Sequence, residues 1–397
     1  MLLPFQNFKS KCGILILLRN SNFRISYVLS SRRSCSSFSN TVKTFESNEN
    51  QLSPEYYSKI RMLFDGLLKG QRSALAQSIT LVETQHPEKQ LASQFLLNLV
   101  LKEAKKKYLK VGNKALSFRI GLTGPPGAGK STFIECLGKL MTDEGHKVAV
   151  LAVDPSSSTT GGSLLGDKTR MPELSRDPNA FVRPSPASGC LGGVTRSTNE
   201  AIALCESAGY DIILVETVGV GQSEFHVCHM VDMFVMIVSP AGGDELQGLK
   251  KGIVELVDMI VVNKSDGDLI PAARRIKTEY LSALKFVRRR FRTWNPVVLC
   301  VSAKTRDGIE NLFKELLDFR DIMLESGEYQ LNRKQQHKMW MWLHIENKLM
   351  STFKTHPEIK TLVGDLETQV ERGTVTPGQA ADILLKRFFN IYNVVKF

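Results

Sequence analysis

The sequence predicts an α/β protein: a doubly wound domain with a mostly parallel sheet and helical extensions before and after it. Three observations carry this prediction. Between residue 118 and about residue 320, short apolar runs without alternation take turns with amphipathic stretches, as in strands covered on both faces by crossover helices. Before residue 111 and after residue 330, apolar residues recur at helical spacing. A glycine-rich turn at 124–129 joins the first apolar run to an amphipathic segment, at the sheet edge where such folds hold ligands.

Residues 1–45 stand apart. No acidic residue precedes Glu46, while Lys9, Lys11, Arg19, Arg24, Arg32, Arg33 and Lys43 lie among nine serines. Basic, serine-rich and acid-free is the composition of a mitochondrial transit peptide, and a secretory signal would need a longer apolar core. Removing those seven charges from the net +12 leaves +5, so the remaining body is only mildly basic. The charge excess is therefore not a nucleic-acid footprint, and aromatic–basic interleaving is sparse. The longest apolar run, Ile14-Leu15-Ile16-Leu17-Leu18, is too short to span a bilayer, so a soluble protein without membrane insertion is expected.

Residues 46–115 read as a helical region, with His86-Pro87 breaking two helices. The domain at 116–328 has candidate strands at 118–123, 148–153, 212–216, 234–238, 259–262 and 297–301. Candidate helices start near Lys130, Asn199, Glu245, Ile270 and Ile309. A helical arm at 329–397 carries Met339-Trp340-Met341-Trp342, Ile345, Leu349 and Phe353 on one stretch, and Thr376-Pro377 opens a last helix. Such an arm cannot build a core alone and is expected to pack on the domain or on a second subunit. Arg288-Arg289-Arg290 reads as the positive end of a helix. Seven cysteines without CxxC spacing suit a reducing compartment and ordinary core positions.

The chemistry begins at Gly124-Pro125-Pro126-Gly127-Ala128-Gly129-Lys130-Ser131-Thr132. The spacing G-x4-G-K-S after a strand and before a helix lets backbone N–H groups converge on phosphate oxygens at a helix start. Lys130 is expected to reach the β- and γ-phosphates and Ser131 to ligate Mg²⁺. Carboxylates at neighbouring strand ends, Asp154 and Glu216, are candidates for the same hard cation, as is Asp167 in the glycine-rich loop 161–170. Glu216-Thr217-Val218-Gly219 has the form of a segment whose Gly219 N–H senses the γ-phosphate. Val220 follows it where many such enzymes carry a water-orienting Gln, so slow intrinsic turnover is expected, with Gln222 a substitute candidate.

Asn263-Lys264-Ser265-Asp266 follows an apolar run. The Asp266 carboxylate can accept from guanine N1–H and its exocyclic amine, donors that adenine does not offer there. Lys264 can lie along the base, and Ser302-Ala303-Lys304 can offer backbone N–H to the guanine O6. Together these make the domain a P-loop GTPase with GTP or GDP as ligand.

The motifs also carry a family resemblance. The segment 121–131, Val153-Asp154-Pro155-Ser156-Ser157, Asp167-Lys168-Thr169-Arg170-Met171, 216–224 and 241–252, with Trp340-Met341-Trp342 and Thr376-Pro377-Gly378, resemble the MeaB and methylmalonic aciduria type A GTPases, in particular the mitochondrial member. The resemblance covers nearly everything from about 68 to 390. It implies a homodimeric GTPase of the mitochondrial matrix that guards methylmalonyl-CoA mutase, couples GTP turnover to adenosylcobalamin loading and rescues inactivated mutase, with the cobalamin adenosyltransferase reached through the mutase. By position it implies that Lys130, Asp154, Glu216 and Lys251 act in catalysis, that Ser131, Asp154, Asp167 and Glu216 form the metal network, and that Asp244 to Lys251 is a switch read by the mutase.

His226-Val227-Cys228-His229 departs from that pattern. Positions i, i+2 and i+3 share no clean helix face, so surface or interface packing is expected over metal binding. Two other functions share these motifs: a metallochaperone-type GTPase, which would carry His-rich tails or Cys-rich motifs absent here, and a small-molecule kinase on the same loop.

Overall fold

The computed structural model describes residues 53–84, 86–153, 171–185, 191–217, 222–240 and 251–391. The expected transit peptide, Asp154, Asp167, Gly219, Val220 and residues 244–250 lie outside them.

Three helices open the described residues where two were expected: α1 (Pro54–Leu68), α2 (Arg72–Glu83) and α3 (Pro87–Val111). The additional break falls after α1, where the N–H groups of Gly70 and Gln71 close back on the carbonyls of Leu67 and Gly66. No proline marks this turn, so hydrophobic spacing alone runs through it.

The sheet is built from β1 (Phe118–Thr123), β2 (Val148–Val153), β3 (Ala180–Ser185), β4 (Ile212–Thr217), β5 (Met233–Val238), β6 (Met259–Val262) and β7 (Val297–Cys300). Their order is β3-β2-β4-β1-β5-β6-β7, and every pairing is parallel. Six strands match the expected runs to within a residue or so at their ends; β3 was not foreseen. It is an edge strand, registered Val148 to Ala180 through Val153 to Ser185 on β2. Only one side of an edge strand needs a ladder, which tolerates Pro184, and Arg183 spends its charge on Glu83 of α2 at 2.6 Å.

Crossover helices cover both faces: α4 (Lys130–Asp143), α5 (Pro172–Arg176), α6 (Leu191–Ser207), α7 (Gln222–Cys228), α8 (Lys251–Val254), α9 (Ile270–Leu284) and α10 (Ile309–Glu325). Helix α6 starts eight residues before the expected Asn199. Alternate strand residues feed two apolar cores. Ile213, Val215, Phe234 and Met236 pack with α1, α2, α3 and α6 on one face, while Phe118, Ile120, Leu122 and Leu214 pack with α4 and α10 on the other.

The arm comprises α11 (Glu328–Thr355), α12 (Pro357–Glu371) and α13 (Pro377–Ile391), of which α12 was not expected. Thr376 and Gln379 exchange side-chain and backbone hydrogen bonds at the start of α13, a capping box. The first turns of α11 are fastened to the starting ends of β1 and β5. Arg333 donates to both Asp232 oxygens at 2.9 and 2.7 Å and to the Ser117 carbonyl at 2.6 Å, and the Tyr329 hydroxyl donates to Asp232 at 2.7 Å. Arg119 pairs with Glu206 at 2.8 Å and lies over the ring of Trp340, whose Nε1 donates to the His229 carbonyl at 3.0 Å.

The arginine run is corrected by the structure. Helix α9 ends at Leu284, before Arg288, and Arg290 turns inward to pair with buried Asp258 at 2.7 Å and to donate to the Cys228 and Val231 carbonyls.

Candidate functional site

The candidate loops gather at the C-terminal edge of the sheet. Segments leaving β1, β4, β6 and β7 bring in 124–129, Glu216, Asn263 and Ser302. Gly124 is dictated by close approach: a Cβ there would sit 2.0 Å from the Ile237 carbonyl oxygen on the neighbouring strand. The loop then presents Pro126 and Gly127 to solvent while Ala128 is buried.

Lys130 opens α4, and its Nζ donates to the carbonyls of Gly124 at 2.7 Å and Pro125 at 3.1 Å. Burial lowers its pKa, and the negative charges of Glu216 and Glu224 partly offset that effect. The Ser131 hydroxyl donates to Glu216 Oε1 at 3.4 Å, and Thr132 is exposed in the first turn of α4. Below them, buried Thr217 donates to Thr123 at 3.0 Å, tying β4 to β1 at the loop's root.

Asn263 joins this loop to the candidate base loop. Its Nδ2 donates to the Ala128 carbonyl at 3.0 Å, and its Oδ1 accepts the Ala303 N–H at 3.1 Å. The Ala303 amide, expected to face the base, is thus turned to Asn263. Lys264 is held at φ 58°, and its Nζ donates to the Gly127 carbonyl at 2.7 Å. Asp266 is fixed by the buried Ser302 hydroxyl, which donates to Oδ1 at 2.7 Å, and Thr305 N–H in turn donates to Ser302 Oγ. Lys304 lies between these two residues. Lys251 opens α8, with its side chain outside the description.

The Ser131 hydroxyl and Glu216 carboxylate suit Mg²⁺, a hard cation that takes one or two protein oxygens and keeps waters and phosphates for the rest. A buried, orphaned carboxylate oxygen, Oε2 of Glu224, belongs to the same neighbourhood through its charge on Lys130. Glu224 closes the motif 216–224 but was not singled out, because a Glu in a first helical turn carries no local sign that it is buried.

His226, Cys228 and His229 do not form a metal centre: among the described residues no group of three His, Cys, Asp or Glu is arranged to hold an ion. Cys228 is buried, and His229 packs edge-on against the exposed Phe225 ring at 4.7 Å.

A family model described as "Methylmalonyl Co-A mutase-associated GTPase MeaB" matches residues 75–358. This chain belongs to the MeaB family. Its mouse relative, "Methylmalonic aciduria type A homolog, mitochondrial", is 56% identical over 345 residues, covering 87% of this chain and 83% of the relative. The Escherichia coli family member "GTPase ArgK" is 44% identical over 311 residues, covering 78% and 91%. A solved structure titled "Crystal structure of LAO/AO transport system kinase" matches with a TM-score of 0.64 and 34% identity over 83% of this chain and 98% of that one. As a MeaB-family GTPase the chain binds GTP and GDP and hydrolyses GTP. The mitochondrial label of the mouse relative supports a mitochondrial location. Among the described residues no helix is long and apolar enough to cross a membrane.

Proposed function

We propose that this GTPase acts in the mitochondrial matrix as a nucleotide-dependent chaperone of methylmalonyl-CoA mutase, gating adenosylcobalamin loading and protecting or reactivating the mutase. The observation that carries the reading is the match of residues 75–358 to a family described as mutase-associated. The cobalamin adenosyltransferase enters as a neighbour reached through the mutase.

In this reading the amides of Gly127 to Ser131 cradle the phosphates, and Lys130 leaves the Gly124 and Pro125 carbonyls to meet the β- and γ-oxygens. Ser131 and Glu216, with Asp154 and Asp167, would hold a magnesium ion, which would supply charge neutralisation to the phosphates. Gly219 senses the γ-phosphate, and Lys251 with the preceding switch reports the state to the mutase. Asp266 reads guanine, and Asn263 keeps the base loop in register with the phosphate loop. The arm pairs two copies: beyond its anchored first turns, α11 exposes Met341, Trp342, Ile345 and Leu349, a stripe suited to a homodimer.

The test is a pull-down of purified mutase with this chain in GTP-analogue, GDP and nucleotide-free states, alongside GTP turnover with and without mutase. Nucleotide-dependent capture and accelerated turnover are expected. No capture in any state overturns the proposal, and phosphate transfer to a small acceptor would point to a kinase instead.

A further inference from the structure

Helix α7 packs through Val227 against Gly121 of the central strand. A Cβ on Gly121 of β1 would fall 2.9 Å from side-chain atoms of Phe234 and Val231 and 3.2 Å from Val227, so the bare glycine is what lets α7 settle there. Glu224 stands three positions before Val227 and shares its face of the helix. Because α7 begins just past the C-terminal end of β4, Glu224 sits toward the end of β1 that runs into Gly124.

The carboxylate there is only 1% exposed, and its Oε2 has no hydrogen-bond donor. A first-turn acid kept for helix stability would be solvated or bonded to a backbone amide. A buried carboxylate oxygen without a donor is costly and is retained where it gains a partner later. Lys130 feels the charge of Glu224, and moving it onto a phosphate takes that positive charge away from the buried carboxylate.

We propose that Glu224 is a positioning residue of the magnesium site, accepting hydrogen bonds from the ion's water shell and thereby setting how strongly nucleotide binding depends on Mg²⁺. This rests on the reading of Ser131 and Glu216 as metal ligands. Glu224 makes no direct bond to the ion; it acts on the waters that octahedral Mg²⁺ retains. Such outer-shell partners typically tune metal affinity by tenfold or more.

The experiment measures the affinity of the full chain for a fluorescent GDP analogue across a Mg²⁺ series and in EDTA, for wild type, Glu224→Gln and Glu216→Gln. Glu224→Gln is expected to raise the Mg²⁺ midpoint about tenfold while leaving the EDTA affinity unchanged. An unshifted midpoint for Glu224→Gln beside a shifted one for Glu216→Gln overturns the proposal and leaves the metal reading intact. Unshifted midpoints for both overturn the metal reading and this proposal with it. Should Glu224→Gln fail to fold, Glu224→Asp retains the charge on a shorter stem; a raised midpoint supports the proposal and a wild-type midpoint overturns it.

Discussion

Asn263 donates from Nδ2 to the carbonyl of Ala128 at 3.0 Å, so one amide side chain spans the phosphate and base loops. With its Oδ1 accepting the Ala303 amide at 3.1 Å, three segments from distant parts of the sequence share a single fastener. Asn263→Ala leaves a buried carbonyl and an amide without partners, at about 1–3 kcal/mol. The expected result is a loss of roughly tenfold or more in GDP and GTP affinity, read by calorimetric titration.

Asp266→Asn exchanges an acceptor for a donor opposite the base. Guanine, which offers two donors there, should lose at least about 2 kcal/mol of binding. Xanthine, which presents an oxygen in place of the amine, should gain in relative terms. Competition between GDP and XDP for the variant checks this. Ser302→Ala, which frees Asp266 Oδ1 from its hydroxyl donor, should weaken both nucleotides without reversing the preference.

Arg333 bonds both oxygens of Asp232, whose side chain is 2% exposed. Arg333→Ala takes away the cation that pairs with that carboxylate, leaving the Tyr329 hydroxyl and the Arg119 N–H as donors, and should cost about 3 kcal/mol of stability. Chemical denaturation with a two-probe readout, one on the arm tryptophans and one on the sheet, should show the arm releasing first. A coincident and unshifted transition would argue that the network contributes nothing.

Two neighbouring groups contribute to the pH response with opposite sign. Burial, reinforced by the charges of Arg290 and His226, pulls His229 from 6.5 to about 4. The folded state therefore binds fewer protons than the unfolded chain in that window, and stability is lost as pH falls from 6.5 toward 4. Burial pushes Asp258 up from 3.8 to about 6 in spite of Arg290, so its contribution falls as pH rises across nearly the same range. His229→Gln removes only the first effect. The melting temperature of wild type minus that of the variant should drop as pH falls from 6.5 to 4, and parallel curves would contradict the assignment.

The strands that bury both faces were legible because unalternating runs such as Ile212 to Val215 and Met259 to Val262 have no other solution than a parallel sheet. The loop residues were legible too, since contiguous motifs place Lys130, Ser131, Asn263 and Asp266 without help from the fold. Strand β3 was hidden because an edge strand needs neither apolar continuity nor freedom from proline. Helix α12 was hidden because its polar surface blurs the period and it buries only Ile359 and Leu366. Arg290 looked like a helix end because its partner, Asp258, is separated from it by the whole of α9. The burial of Glu224, the last residue of the motif 216–224, was not legible: it depends on how closely α7 meets Gly121, and nothing in the local sequence reports that distance.

Strand β1 has a consequence of its own. At one end stand Ser117 and Arg119, gripped by Arg333 and Glu206; at the other the chain turns at Gly124 into the phosphate loop. The six residues between span about 20 Å and are bonded on both sides by β4 and β5. They form a stiff rod through the middle of the molecule. Through it the anchorage of α11 and the start of the phosphate loop are held at a fixed separation.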